Sequence, residues 1–328
     1  MLLEVKNLST EFKLKRGVVK AVDDISFSID KGEILAIVGE SGSGKSVASL
    51  SIMGLLQKPG RISGGEILFK SQDLTKLSRK QLQKIRGNQI SMIFQEPMTS
   101  LNPVWRIKDQ IMESIRTHMQ VSQKEALART IEMLDTVGIP SAAQRANDYP
   151  HQMSGGMRQR VMTAMALACE PELLIADEPT TALDVTIQAQ ILELLYRMRE
   201  KFRMAVLLIT HDLGVVSEAA DRVIVMYCGK IMEEADVRTL FTRPLHPYTV
   251  GLLQSIPQID EDSDKRLYMI KGMVPNPLNM PPGCPFSDRC DHSMARCTKE
   301  MPQLREISGH KVRCFLYDEA KEGELGAK

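Results

Sequence analysis

The chain has 328 residues and is 43% hydrophobic, enough for one sizeable core and an extra module. Lys+Arg 42 against Asp+Glu 41 leaves a formal charge of +1, and aromatics are 5%, so neither a basic field nor base-stacking platforms point to nucleic acid. The start, Met1-Leu2-Leu3-Glu4, has no basic region ahead of an apolar stretch, and apolar runs such as Ala205 to Ile209 are too short to cross a bilayer. A soluble, cytoplasmic polypeptide is expected, its membrane association supplied by partners.

In chain order, Leu2 to Leu8 and Ala21 to Ile29 alternate as strands around a turn at Arg16-Gly17, with Phe12 in the hairpin. Ile34 to Val38 is a continuous apolar run, as in a parallel strand buried on both faces. Gly39-Glu40-Ser41-Gly42-Ser43-Gly44-Lys45-Ser46 follows, and Val47 to Leu56 fits a helix. Strand, G-x-x-x-x-G-K-S loop and helix together make a P-loop. Its glycines let backbone N–H groups converge on phosphate oxygens at a helix N-terminus. Lys45 reaches the β and γ phosphates, and the Ser46 hydroxyl holds Mg²⁺. The chain is therefore expected to bind a nucleoside triphosphate.

Gly64-Gly65 opens a strand over Glu66 to Phe69, and Ile90 to Phe94 is a buried strand ending at Gln95. From about Ile107 to Cys169 the periodicity is helical, which reads as an inserted subdomain at about 96–170. Strands resume at Leu173 to Ala176, Val206 to Thr210 and Val223 to Met226, with helices between them. The expected fold is a P-loop α/β core, residues 1–240, with an antiparallel β subdomain and a helical insertion. After about Thr239, Pro and Cys become frequent and long periodic elements stop, so 241–328 reads as a small, irregular, Cys-rich accessory domain.

Two further constellations carry chemistry. Leu173 to Ala176 ends in Asp177-Glu178: beside a P-loop, Asp177 orients hydrated Mg²⁺ and Glu178 polarises the attacking water. Ser154-Gly155-Gly156 opens a second helix start fit for phosphate. One γ-phosphate has no use for two such turns in one domain, whereas two copies facing head to tail do.

With these residues in view, the chain resembles the nucleotide-binding subunit of an ATP-binding cassette (ABC) transporter over about residues 1–240. The P-loop, the glutamine loop at Gln95, the signature turn at Met153 to Met157, the strand Leu173 to Glu178, the Ala182-Leu183-Asp184 loop and the switch histidine His211 occur in the family's order. Met153 and Met157 replace the first and last residues of the usual Leu-Ser-Gly-Gly-Gln. The resemblance implies that Gln95 contacts Mg²⁺ or water and relays nucleotide state, and that His211 contacts the γ-phosphate. It implies that Phe12 stacks on adenine and Asp184 organises a dimer interface. Gly39, Ser41, Gly42, Ser43, Gly44, Lys45, Ser46 and Val47 would bind the nucleotide with Ser154, Gly155 and Gly156 of a facing cassette. Ser46, Gln95 and Asp177 would hold Mg²⁺.

Glu96 to Pro103 suits a docking surface for a coupling helix, and Pro244-Leu245-His246-Pro247-Tyr248-Thr249 resembles the His-Pro-Tyr segment of the oligopeptide and dipeptide importer branch. Cys169 and Cys228 read as small buried residues. Cys284, Cys290, Cys297 and Cys314, at intervals x5, x6 and x16, suit a four-iron four-sulfur cluster. Some members of the resembled branch carry such a cluster in this tail. Zinc, which prefers tighter pairs, and metal-free thiols remain open, as does a structural or redox-sensing role. The implied function is the ATPase subunit of a peptide importer at the cytoplasmic face of the membrane. Its implied partners are two transmembrane permeases, a second cassette (identical or a paralogue) and, indirectly, an extracellular peptide-binding protein. Importers of nickel or other cargo, and non-transport ABC ATPases, are the alternatives.

Overall fold

The structure, a computed structural model, describes residues 1–95, 100–180, 185–256 and 268–318. Its strands are β1 (Leu3–Leu14), β2 (Gly17–Ile29), β3 (Ile34–Val38), β4 (Gly60–Phe69), β5 (Gln72–Asp73), β6 (Ile90–Ile93), β7 (Leu173–Asp177), β8 (Ala205–Ile209), β9 (Arg222–Tyr227), β10 (Lys230–Asp236), β11 (Arg305–Ile307) and β12 (His310–Val312). The main helices are α1 (Lys45–Met53), α2 (Arg79–Ile85), α3 (Ile107–His118), α4 (Gln123–Thr136), α5 (Ala142–Arg145), α6 (Gly155–Leu167), α7 (Val185–Phe202), α8 (Leu213–Ala219), α9 (Val237–Thr242) and α10 (Pro247–Gln254). The chain forms two compact units, one of residues 1–3, 28–34 and 68–209, the other of residues 4–27, 35–67 and 210–328.

In the first unit β6, β7 and β8 form a parallel ladder, Ile90 opposite Leu173 and Leu173 opposite Ala205. Every residue of these three strands is buried, which is why they lack polar alternation. The helical insertion is real. On α3, Ile107, Ile111 and Ile115 are wholly buried at i, i+4, i+8, and Ala126, Thr130 and Leu134 repeat that spacing on α4. These stripes pack against each other and against α6. The Thr130 hydroxyl satisfies itself on the Ala126 carbonyl at 2.8 Å, and a Ser122–Glu125 capping box starts α4.

In the second unit β1 lies between β2 and β4 as the antiparallel subdomain. Gly65 is obligatory inside β4: at φ +90 a Cβ would sit 2.5 Å from the Asn7 carbonyl oxygen. The nucleotide-loop strand β3 pairs in parallel with β9, Leu35 opposite Arg222 and Val38 opposite Val225. A Cys228-Gly229 turn, both at positive φ, returns the chain as antiparallel β10.

The tail is less irregular than expected. β12 adds to β10, Glu233 opposite Val312, and β11 adds to β12. The accessory segment thus extends the same sheet that carries β3, around a satellite core of Leu245, Ile307 and Val312. Among the described residues no helix is long and apolar enough to cross a membrane.

Candidate functional site

The nucleotide loop is shaped by backbone needs. Between β3 and α1, Gly39, Gly42 and Gly44 all have positive φ. A Cβ on Gly39 would meet the Met226 carbonyl oxygen at 2.1 Å, and one on Gly44 the Ala21 carbonyl oxygen at 2.3 Å. Only glycine allows such close backbone passage. Gly42 has open space where a Cβ would go, so the loop leaves a cradle over its own N–H groups. No side chain caps α1 at Gly44, so its first N–H groups and dipole are offered to an anion. The Lys45 ammonium donates to the carbonyls of Gly39 (2.6 Å) and Glu40 (3.0 Å) and to the Ser43 hydroxyl (3.3 Å), which holds its charge inside the loop. Ser41, Ser46 and Val47 complete the loop and first helical turn, as expected. These features fit a magnesium-bound triphosphate.

The second unit holds two more of the expected residues. Phe12 on β1 lies against the backbone of Gly60, where a Cβ would come 2.6 Å from its ring. His211 is exposed just before α8. Its neighbour Asp212 is a cap, accepting the Gly214 and Val215 N–H groups at 2.9 and 3.2 Å.

In the first unit the structure brings two expected residues together. β7 delivers Asp177, 4% exposed, and then Glu178. Glu178 has left-handed backbone (φ 48), fixed by its N–H on the Ile209 carbonyl at 2.8 Å. The Gln95 amide, just after β6, donates to the Glu178 carboxylate at 2.8 Å. A second link escaped the sequence reading. Gln159 on α6, 2% exposed, donates its amide to the Pro179 carbonyl, tying the helix after the signature turn to the residue after Glu178.

The signature turn is a helix start: Ser154 caps α6 by accepting the Met157 N–H at 3.3 Å. Gly155 has nothing near its absent side chain, while a Cβ on Gly156 would press on Ile187 at 3.2 Å. Asp184 and Glu96 to Thr99 lie outside the described residues.

Among the described residues no group of three or more Cys, His, Asp or Glu side chains could hold a metal ion, so neither the expected cluster nor zinc is shown. Cys284, Cys290, Cys297 and Cys314 nonetheless line one common pocket with Phe286, Pro302 and Phe315, all as free thiols. Burial raises the pKa of Cys284 to about 11 and of Cys314 to about 12, and raises Cys290 too. Cys169 is buried as expected, but Cys228 is only half-buried in its turn.

The tail also holds contacts that no local pattern announced. Arg289 grips the Glu40 carboxylate with both terminal nitrogens (2.6 and 3.0 Å), and the Tyr248 hydroxyl accepts the Glu40 N–H at 2.9 Å.

Comparison with known proteins agrees with this geometry. The ABC transporter family matches residues 22–181, and the family described as "Oligopeptide/dipeptide transporter, C-terminal region" matches residues 232–297. The chain is 59% identical to the oligopeptide transport ATP-binding protein AppD of Bacillus subtilis, over 97% of each chain. It is 51% identical to the dipeptide transport ATP-binding protein DppD of Haemophilus influenzae, over 95% of this chain and 94% of that one. Among solved structures, the dimeric MJ0796 bacterial ABC transporter cassette superposes with a TM-score of 0.65 at 29% identity, covering 72% of this chain and 99% of that one. The chain belongs to the ABC transporter family as an ATP-binding subunit, in the branch that carries the oligopeptide/dipeptide transporter C-terminal region.

Proposed function

We propose that this ABC ATPase energises import of dipeptides or oligopeptides from the cytoplasmic face of the membrane, with two permeases and a second cassette as partners. The observation that carries the cargo class is the match of residues 232–297 to the oligopeptide/dipeptide C-terminal region, alongside peptide-transport relatives aligned over nearly the whole chain. The exposed pair Val104 and Trp105, 74% and 44% accessible beside the Asn102-Pro103 turn, supports docking of a permease helix there. In this reading residues 1–240 form the ATPase domain and 241–328 the accessory domain.

In this reading the loop from Gly39 to Val47 binds the triphosphate, Lys45 neutralises its β and γ oxygens, and Phe12 stacks on the base. Ser46, Asp177 and Gln95 would hold Mg²⁺, which would screen charge on the transferring phosphoryl group. The attacking water gives a proton to Glu178 as its oxygen bonds to the γ-phosphorus and the bond to the bridging oxygen breaks, leaving ADP and phosphate. His211 steadies the γ-phosphate. The Gln95–Glu178 hydrogen bond gives the permease-facing segment a direct hold on the catalytic carboxylate. Ser154, Gly155 and Gly156 of the partner cassette close over the same phosphate.

Cys284, Cys290, Cys297 and Cys314 are proposed to hold a four-iron four-sulfur cluster. Their shared pocket supports this, and a cluster spreads its four thiolates wider than a single ion does. Its chemistry would be a crosslink for a short module. Anaerobic purification should then yield iron and sulfide in equal amounts; stoichiometric zinc, or no metal, rejects it.

The test of the whole is reconstitution with both permeases and the second cassette. Labelled di- and oligopeptides should enter vesicles in an ATP-dependent way. Glu178→Gln should lower hydrolysis by about 10²–10⁴-fold with ATP binding kept. Uptake of nickel without peptide would overturn the cargo, and a Glu178→Gln chain with full turnover would overturn the catalytic role.

A further inference from the structure

The Arg289–Glu40 ion pair joins the accessory segment to the nucleotide loop by side-chain charge, and its surroundings are built for that contact. The Arg289 side chain is 5% exposed and Glu40 29%. Both carboxylate oxygens are taken, the two-pronged geometry that arginine favours and lysine cannot copy. The guanidinium is fixed by the Tyr227 hydroxyl at 3.1 Å and by the Lys271 carbonyl at 2.9 Å. It also lies over the Tyr227 and Phe286 rings, 5.8 Å from each centroid. Arg289 ends the short turn Ser287–Arg289, between Cys284 and Cys290.

The His-Pro-Tyr segment completes the grip. His246, 2% exposed, accepts the Tyr248 N–H on Nδ1 at 3.0 Å, and Pro247 begins α10. Burial lowers the His246 pKa to about 4, so the ring stays a neutral acceptor. Tyr248, fully buried against Tyr227 and Phe286, is thereby held with its hydroxyl on the Glu40 N–H. Glu40 in turn accepts Lys45 Nζ and the Ser43 N–H on its carbonyl. One loop residue is thus held by amide, carbonyl and carboxylate.

A carboxylate in a phosphate-binding loop repels the ligand unless its charge is cancelled. We propose that the C-terminal segment is a clamp on the nucleotide loop, in which Arg289 neutralises Glu40 and Tyr248 fixes its backbone, so that the accessory domain sets ATP affinity. Arg289 and Tyr248 are positioning residues that act through Glu40. This inference rests on the ATP-binding reading above and adds a role for the tail.

The experiment is titration of the full-length chain with a fluorescent ATP analogue and Mg²⁺, with thermal unfolding of each variant and ATPase kinetics in the assembled transporter. Arg289→Ala should weaken nucleotide binding about tenfold, the scale of one partly screened charge, and raise KM for ATP with kcat kept at saturation. Glu40→Gln should leave affinity equal or tighter, and Arg289→Ala/Glu40→Gln should return to within about threefold of the parent. Arg289→Gln removes the charge but keeps much of the side chain and should weaken binding in the same direction; it serves if Arg289→Ala does not fold, and unchanged binding in it overturns the clamp as well. Unchanged binding in Arg289→Ala overturns the clamp. So does an equal loss in Glu40→Gln that the double variant only adds to, because a purely structural staple behaves that way. If the parent chain binds no nucleotide, or Lys45→Ala binds as well as the parent, the ATP-binding reading fails instead.

Discussion

The chain has two glycine-containing turns that lead into helices, and they are built on different principles. In the nucleotide loop three glycines adopt positive φ, two pass carbonyl oxygens at distances no side chain tolerates, and a lysine ammonium fills the ring from within. In the signature turn neither glycine has positive φ, and Ser154 performs an ordinary N-cap. The first turn spends conformational strain to aim several donors at one point and supplies its own cation. The second offers a helix N-terminus and a hydroxyl but no charge of its own on the turn. One carries its backbone donors and its cation within one unit. The other, on the proposed reading, would meet a phosphate only where something else already holds it, as a head-to-tail pair of cassettes would arrange.

That contrast breaks most sharply at Lys45. Lys45→Ala removes the cation from the loop and leaves the Gly39 and Glu40 carbonyls facing the ligand. Hydrolysis should fall by about 10³-fold, the scale of losing a main charge stabiliser of phosphoryl transfer. Nucleotide titration should show the loss already at binding. Unimpaired binding would mean that the backbone cradle suffices without it.

Gly44→Ala tests the backbone instead. The residue stands at φ +101 with the Ala21 carbonyl oxygen 2.3 Å from the new Cβ. Strain of about 1–3 kcal/mol is expected, visible as a lower denaturation midpoint, together with a displaced α1 N-terminus and weaker ATP binding. A variant as stable as the parent would show that the loop relaxes and that its shape is less constrained than the Cβ distance implies.

The contrast also explains what could be read from the chain alone. The nucleotide loop was legible because its requirements are local: eight consecutive residues, with a buried strand before and a helix after. Asp177 and Glu178 were legible for the same reason, but the left-handed backbone of Glu178 and its bond from Gln95 needed the β6–β7–β8 register. The tail was the hard part. β11 and β12 are three residues each, with Arg, Glu, His and Lys interrupting any alternation, so no period announces them. Glu233 hides the same way: it is wholly buried, answered by His310 and by the Leu245 and His246 N–H groups, 77, 12 and 13 residues away. Arg289 and Glu40 are 249 positions apart, and only the tertiary fold joins them. The His-Pro-Tyr segment stands out as a motif, yet its work, placing a tyrosine hydroxyl on the nucleotide loop, depends on that same distant partner.

The smallest effects on stability should come from the signature turn, and they separate capping from pairing. Ser154→Ala deletes the acceptor for the Met157 N–H, so unfolding should become easier by about 0.5–2 kcal/mol. Gly155→Ala adds a methyl where nothing lies within 4 Å, and a helical position gains from losing glycine, so stability should hold or rise by about 0.5 kcal/mol. If the turn serves only its own helix, ATPase activity of the assembled transporter should track these stabilities, with Ser154→Ala worse than Gly155→Ala. If a partner's triphosphate lies against it, the ranking changes. Gly155→Ala should then lose turnover despite an intact fold, because its new methyl enters the space a phosphate would use, while nucleotide binding by the single chain stays at the parent's level.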